Sequence, residues 1–262
     1  SPLSQAASIH DIEKYNWPEF ADSARLKGLA KKAGEIRRET NAAVMLSEIC
    51  GGVFDMTALL FGYEQCMMNM AYDMKLVHAV MEKIADFKCK WYETVLPVVG
   101  SEIDIVLECD DICGQNGPLF SYQIYKEYIK PLHTRIFETI AKYTNAARYF
   151  HCCGSVYDYI PDFIESGVQI LNPIQVSAAK MNTKILKEKF GKDLVFWGGG
   201  CDTQEILSRG TVQQVRDEVK RRLDDLASGG GYVFAQVHNI QSDVPVENLV
   251  AMWETWAEFG KY

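Results

Sequence analysis

The chain has 262 residues, 48% of them hydrophobic and 24% charged, and a formal net charge of −8. That composition specifies a globular protein with a sizeable core and excludes a disordered or low-complexity chain. The negative charge argues against nonspecific binding to nucleic acid or anionic membrane. No apolar run approaches the ~20 residues that cross a bilayer, and the first residues do not read as a signal peptide. Eight cysteines, two of them adjacent, show no small-disulfide-domain pattern. In a chain of this size that points to a reducing cytoplasm, with buried thiols or a metal site.

Residues 1–20 read as a covering segment closed by Trp17-Pro18, because the residue before proline avoids the helical region. A helix is predicted from Asp22 to Glu39, then a short buried strand from Ala42 to Ile49. Phe54 to Phe61 and Met67 to Leu96 read as helices, the second broken near Tyr72-Asp73. Ile103 to Cys109 is a strand that ends in the polar group Glu108-Cys109-Asp110-Asp111. Ser121 is expected to cap a helix running to Tyr143, kinked at Pro131. Ala147 to Cys153 is a strand. Val156 to Ser166 is a helix stopped by Gly167. Val168 to Leu171 is a strand that runs into Asn172-Pro173-Ile174-Gln175. A helix over Ala179 to Phe190 follows, then a strand from Asp193 to Trp197 ending at Gly198-Gly199-Gly200-Cys201-Asp202. Thr211 to Ala227 is helical, and Gly229 to Gly231 form a turn. The strand Tyr232 to Val237 ends at His238-Asn239-Ile240-Gln241, and Pro245 sets the start of the last helix, Val246 to Phe259.

Short apolar strands alternating with helices specify a parallel sheet. The polar residues gather at the C-terminal end of every strand. A doubly wound sheet would collect them at one switch point, whereas a TIM (β/α)8 barrel carries them around one whole face. The fold class is therefore α/β, a TIM barrel in a single domain spanning 1–262. The six strand-then-helix units of this reading are two short of eight.

The segment Arg148-Tyr149-Phe150-His151-Cys152-Cys153-Gly154-Ser155 carries the sharpest chemistry. Residues two apart on a strand face the same side, so His151 and Cys153 can meet one point while Cys152 faces away. Imidazole with thiolate is a ligand pair suited to zinc; packing is the other reading of the same residues.

The C-terminal half resembles the uroporphyrinogen decarboxylase superfamily, which also contains zinc- and corrinoid-dependent methyltransferases. The resemblance rests on His151-Cys152-Cys153-Gly154-Ser155, Gly167 to Gln175, Leu186 to Gly191, Gly210-Thr211, Gly229 to Tyr232 and His238 to Asn248, in that order. It extends over essentially the whole chain. Ser1-Pro2-Leu3 and the helix ending Ile36-Arg37-Arg38-Glu39 look like the family's region just before its third strand. The resemblance thus implies that the first two βα units are missing from this N-terminally incomplete sequence.

Within the family, His151-Cys152-Cys153-Gly154 looks like the H-x-C-G of the methyltransferases, where His and Cys ligate zinc. The decarboxylases use no metal, and the tyrosine they use near the third strand aligns with Ala58. His238 takes the place of the methyltransferases' third ligand, usually cysteine, and also of a decarboxylase histidine. The resemblance therefore implies zinc held by His151, Cys153 and His238, a corrinoid carried by a partner protein, and methyl transfer involving a methyl ether, amine or thiol. Glu108 is the candidate fourth ligand or supporting catalytic residue, and Asp110 or Asp111 the candidate orienter of His151. Asp110, Asp111, Asn172, Gln175, Asp202, Asn239 and Gln241 are the candidate substrate contacts. A homodimer or a complementing N-terminal fragment are further partners. Uroporphyrinogen decarboxylation and a non-catalytic ligand-binding barrel are the competing readings.

Overall fold

The structure, a computed structural model, describes residues 1–19 and 23–261. The predicted helix start at Asp22 lies outside the described residues. The chain forms two compact units. The first comprises Ser1–Asp111, Phe120–Tyr149 and Glu165–Gly167, and the second Ile112–Leu119, Phe150–Ile164 and Val168–Tyr262.

In the first unit, the strands Met45–Leu46 and Ile105–Cys109 run parallel, with Met45 opposite Ile105. The earlier strand is shorter than predicted, since the chain leaves the ladder after Leu46 for the Gly51-Gly52 loop. The predicted helix before it is two pieces, Ser23–Leu26 and Leu29–Glu39, separated by Gly28 at φ 85°. Helices Val53–Phe61, Tyr63–Tyr72 and Met74–Val99 follow, and the predicted break falls at Asp73, whose side chain caps the last of them through Leu76 N. Met74–Val99 buries Leu76, Val77, Val80, Met81, Ile84, Ala85, Trp91, Tyr92 and Val95, a stripe at helical spacing with Lys88 in its middle. Ser121 caps as predicted, accepting from Ile124 N at 3.3 Å. The expected kink at Pro131 is a π-helical turn, Tyr125–Ile129, ahead of helix Lys130–Tyr143. Proline offers no N–H to the preceding turn, which widens to keep its carbonyls bonded.

In the second unit, strands Ile170–Asn172, Val195–Trp197 and Tyr232–Val233 are parallel neighbours in that order. Helices Thr183–Phe190, Val212–Leu226 and Val246–Phe259 accompany them. The first of these starts later than the predicted Ala179, because Asn182 caps it by accepting from Ile185 N at 3.1 Å. Thr211 and Gln214 close a capping box at the second. Two small elements were not predicted: the hairpin pairing Cys113–Gly114 with Gly117–Pro118, and the one-turn helix Ile206–Arg209. Both are too short to carry a periodic signal.

Candidate metal centre

The strand Ala147–His151 ends in the second unit. There Cys152 N donates to Asn172 O at 2.9 Å, which keeps the segment parallel to the next strand. Strand alternation then does what the sequence predicts. The Cys152 side chain is buried, while Cys153 Sγ lies 3.3 Å from His151 Nε2. Gly154 follows at φ +91°, and a Cβ there would sit 2.7 Å from the carbonyl oxygens of Cys113 and Gly114. Only glycine lets the chain turn against that hairpin directly after the thiol.

His238, beyond the strand Tyr232–Val233, completes a trio. One donor atom each from His151, Cys153 and His238 lie within 4.8 Å of one another. The two imidazoles meet edge to face with centroids 5.8 Å apart. Donors on a tetrahedral zinc stand about 3.3–3.8 Å apart given bond lengths of about 2.0–2.3 Å. A contraction of about 1 Å would therefore bring the trio to zinc-binding distance, and two imidazoles with one thiolate suit that ion. His238 is exposed and the other two are half-buried, so one side of the trio faces solvent.

The orientation of His151 comes from a residue the sequence reading gave to substrate. Asn172 Oδ1 lies 2.6 Å from His151 Nδ1, and Asn172 Nδ2 donates to Trp197 O at 3.0 Å. The second bond fixes which end of the carboxamide is oxygen. The first then requires Nδ1 to carry the ring proton, and the Nε2 lone pair faces Cys153. The predicted orienters, Asp110 or Asp111, are thus replaced by Asn172. Both polar ends of Asn172 are used in this way, so its predicted substrate role gives way to a positioning one.

Glu108 and Asp110 are also committed elsewhere. Glu108 is buried, with one oxygen 2.7 Å from Lys88 Nζ and the other accepting from Tyr92 OH. Both carboxylate oxygens are engaged inside the first unit, which leaves Glu108 a structural ion pair and not a ligand. Asp110 is fully buried. It accepts from Phe54 N at 3.0 Å and Asp55 N at 3.0 Å, at the start of helix Val53–Phe61, and pairs with His133 Nε2 at 2.9 Å. Its role is to fasten that helix to the strand end, which corrects its assignment to substrate. Asp111 is half-buried, and its backbone N donates to Asp55 Oδ2 at 2.9 Å. Burial and the neighbouring Asp110 charge push Asp55 up to about 7.

Asp202 is buried and accepts from Gln204 N at 3.1 Å, so it shapes its own loop where a substrate contact was expected. Cys201 is buried, and burial pushes its thiol up to about 12, the behaviour of a packing residue. Gln175, Asn239 and Gln241 do come together, with His238, around a hollow of about 510 Å3. Sequence reasoning missed its other polar residues, Gln204 and Arg209 among them, because they sit on the one-turn helix and its approach. Lys88 was also missed, though a lysine in the middle of an apolar helical stripe is a readable sign of a buried partner.

No curated protein matches the chain significantly. Among solved structures, a methyltransferase from Methanosarcina mazei is similar with a TM-score of 0.67 and 17% identity, over 88% of this chain. The chain spans 64% of that structure's length, and likeness at this identity speaks for the fold alone. The sequence model of the uroporphyrinogen decarboxylase (URO-D) family matches residues 3–259, so the chain belongs to the URO-D family, whose fold is the TIM barrel that the order of strands and helices predicts.

Proposed function

We propose that the chain is a zinc-dependent methyltransferase that works with a corrinoid protein, moving a methyl group between a methyl ether, amine or thiol and cobalamin. The observation that carries this reading is the trio His151, Cys153 and His238, with donor atoms within 4.8 Å. Three protein donors with an open side are the pattern of a catalytic zinc site, not a structural one. The likeness to a solved methyltransferase supports the shared fold, and the choice of branch rests on the trio. Zinc held there would supply Lewis acidity toward a thiol or an ether oxygen.

The chain's own residues have separable roles. Asn172 holds the His151 ring in the tautomer that presents Nε2. Gly154 turns the chain so that Cys153 reaches the same point. His238 belongs both to the trio and to the wall of the polar hollow, where Asn239 and Gln241 can hold a small molecule. Two imidazoles with one thiolate form a harder donor set than one imidazole with two, which favours an oxygen-bearing substrate.

The test is elemental analysis of wild type and Cys153→Ala, followed by the absorbance change of cobalamin on methyl transfer. About one zinc per chain in the wild type and little in the variant is the expected result for a three-donor site. Absence of zinc in the wild type after expression with added zinc would refute the reading and favour metal-free decarboxylation, which a chelator leaves untouched.

A further inference from the structure

The hollow beside His238 also limits the class of molecule it takes, given the proposed chemistry on which this inference rests. Its key feature is a one-way chain of carboxamides within the second unit. Gly154 N donates to Gln175 Oε1 at 2.7 Å, Gln175 Nε2 to Gln115 Oε1 at 2.5 Å, and Gln115 Nε2 to Gln204 Oε1 at 3.0 Å. The backbone carbonyl of Gln115 is itself held by Ala179 N at 2.9 Å. Every amide oxygen in the chain is taken by the donor before it, so each carboxamide has one orientation. The last, Gln204, lines the hollow, and with its oxygen taken by Gln115 the end it offers as a donor is its NH2 group. The chain starts at the residue after Cys153, so the donor at its end is registered to the metal-binding turn.

The rest of the lining says what those N–H groups meet. Asp243 and Glu205 supply acceptors, and Arg209 is the single cation, already 3.4 Å from Glu205. Two carboxylates against one cation leave these side chains net negative, which disfavours an anion in the part of the hollow away from any bound metal. Among the described residues, Val237 is the one apolar residue that lines the space, and the His238 imidazole is the one ring. An aryl group would find only the His238 ring to stack on and would strip water from the exposed amides. A hydroxyl both donates and accepts, which fits a wall offering an oriented N–H on one side and carboxylates on another. The volume of about 510 Å3 suits a small molecule. We infer that this hollow is a subsite for a small, uncharged, hydroxyl-bearing aliphatic molecule, with Gln204 as its specificity-determining donor.

The experiment measures binding of 3-methoxypropane-1,2-diol by ligand-observed NMR, beside methoxybenzene and methoxyacetate, on zinc-loaded wild type, Gln204→Leu, Gln115→Leu and Cys153→Ala. The diol should bind more tightly than the aryl ether or the acid. Gln204→Leu should weaken the diol about tenfold, the size of one lost hydrogen bond, with zinc content unchanged. Gln115→Leu should weaken it as well by freeing Gln204 to turn, which a merely space-filling Gln204 would not require. Preference for methoxybenzene or methoxyacetate, or a diol affinity indifferent to Gln204, would overturn the subsite. Wild type that holds zinc yet binds no diol overturns the subsite alone. Diol binding through Gln204 that persists in zinc-free Cys153→Ala upholds the subsite independently of the metal chemistry.

Discussion

Replacing Lys88 by Met tests the assignment of Glu108 most directly. The Lys88 and Glu108 side chains are 0% and 4% exposed, with Nζ and Oε2 2.7 Å apart. Burial alone would pull the Lys88 pKa down, but Glu108 reverses this and leaves it raised, so the ammonium persists to high pH. Met keeps the length of the stem and removes only the charge. That leaves the Glu108 carboxylate buried with Tyr92 as its remaining hydrogen-bond donor. Breaking one side of a buried pair costs about 3–5 kcal/mol, and Lys88→Met should unfold correspondingly earlier in urea or heat. At about 2–4 °C per kcal/mol, the melting temperature should fall by roughly 6–20 °C. Glu108→Gln should cost a similar amount, since it strands the ammonium. The double variant Lys88→Met, Glu108→Leu should recover most of the loss, because an apolar pair of similar volume is often as stable as the ions. The wild-type contribution should hold below the unfolded lysine value of about 10.4 and fade as pH rises toward the raised folded value. Zinc content should stay at the wild-type level in Glu108→Gln that still folds. Additive losses in the double variant would refute the pairing, and zinc lost from folded Glu108→Gln would restore Glu108 as a ligand.

Three further outcomes are expected. Asn172→Ala should lower zinc affinity about 10–100-fold, the usual effect of removing the group that orients a ligating histidine; competition with a chromophoric chelator reads it, and unchanged affinity would reject the role. Gly154→Ala should cost several kcal/mol and most of the bound zinc, since the new Cβ would lie 2.7 Å from two carbonyl oxygens at φ +91°; a wild-type melt would show that the turn relaxes freely. Asp55 titrates near 7 when folded and about 3.9 when unfolded, so its contribution is most favourable below the lower value and declines as pH rises through 7. Asp55→Asn should therefore gain stability over wild type at pH 8 by about 1–3 kcal/mol, discounted because the group is only partly buried, and lose that advantage below pH 4; a pH-independent difference in urea midpoints would refute this.

What could be read from the sequence follows from the range of each signal. The H-x-C spacing, strand alternation and the glycine after Cys153 are local, and they point to two of the three candidate donors. His238 came from a resemblance to a family, since nothing local distinguishes it from a surface histidine. The bounds of helix Val246–Phe259 are legible because proline and apolar period agree. The predicted helix from Ala179 overruns Thr183–Phe190 because the apolar period continues past the capping Asn182.

The groups that orient the site were beyond such reasoning for a reason that also explains the errors. An aspartate beside a strand end looks like a better partner for histidine than an asparagine does, and by residue type alone Asp110 was the stronger choice. The outcome depended instead on which backbone groups needed satisfying. Asp110 is drawn to the free N–H groups of Phe54 and Asp55, a demand created 55 residues away by the start of a helix. Asn172 lies beside His151 because Cys152 N bonds to its carbonyl, a consequence of parallel strand register. The same holds for Gln115, which a hairpin of four paired residues carries to Gln175 and Gln204. The donors that would touch a metal are set by short-range pattern, whereas the residues that aim them are set by long-range backbone pairing. A neutral carboxamide behind His151 also withholds the extra negative charge that an aspartate would place on the ring, so the substitution of Asn172 for the expected carboxylate leaves any bound zinc a stronger Lewis acid.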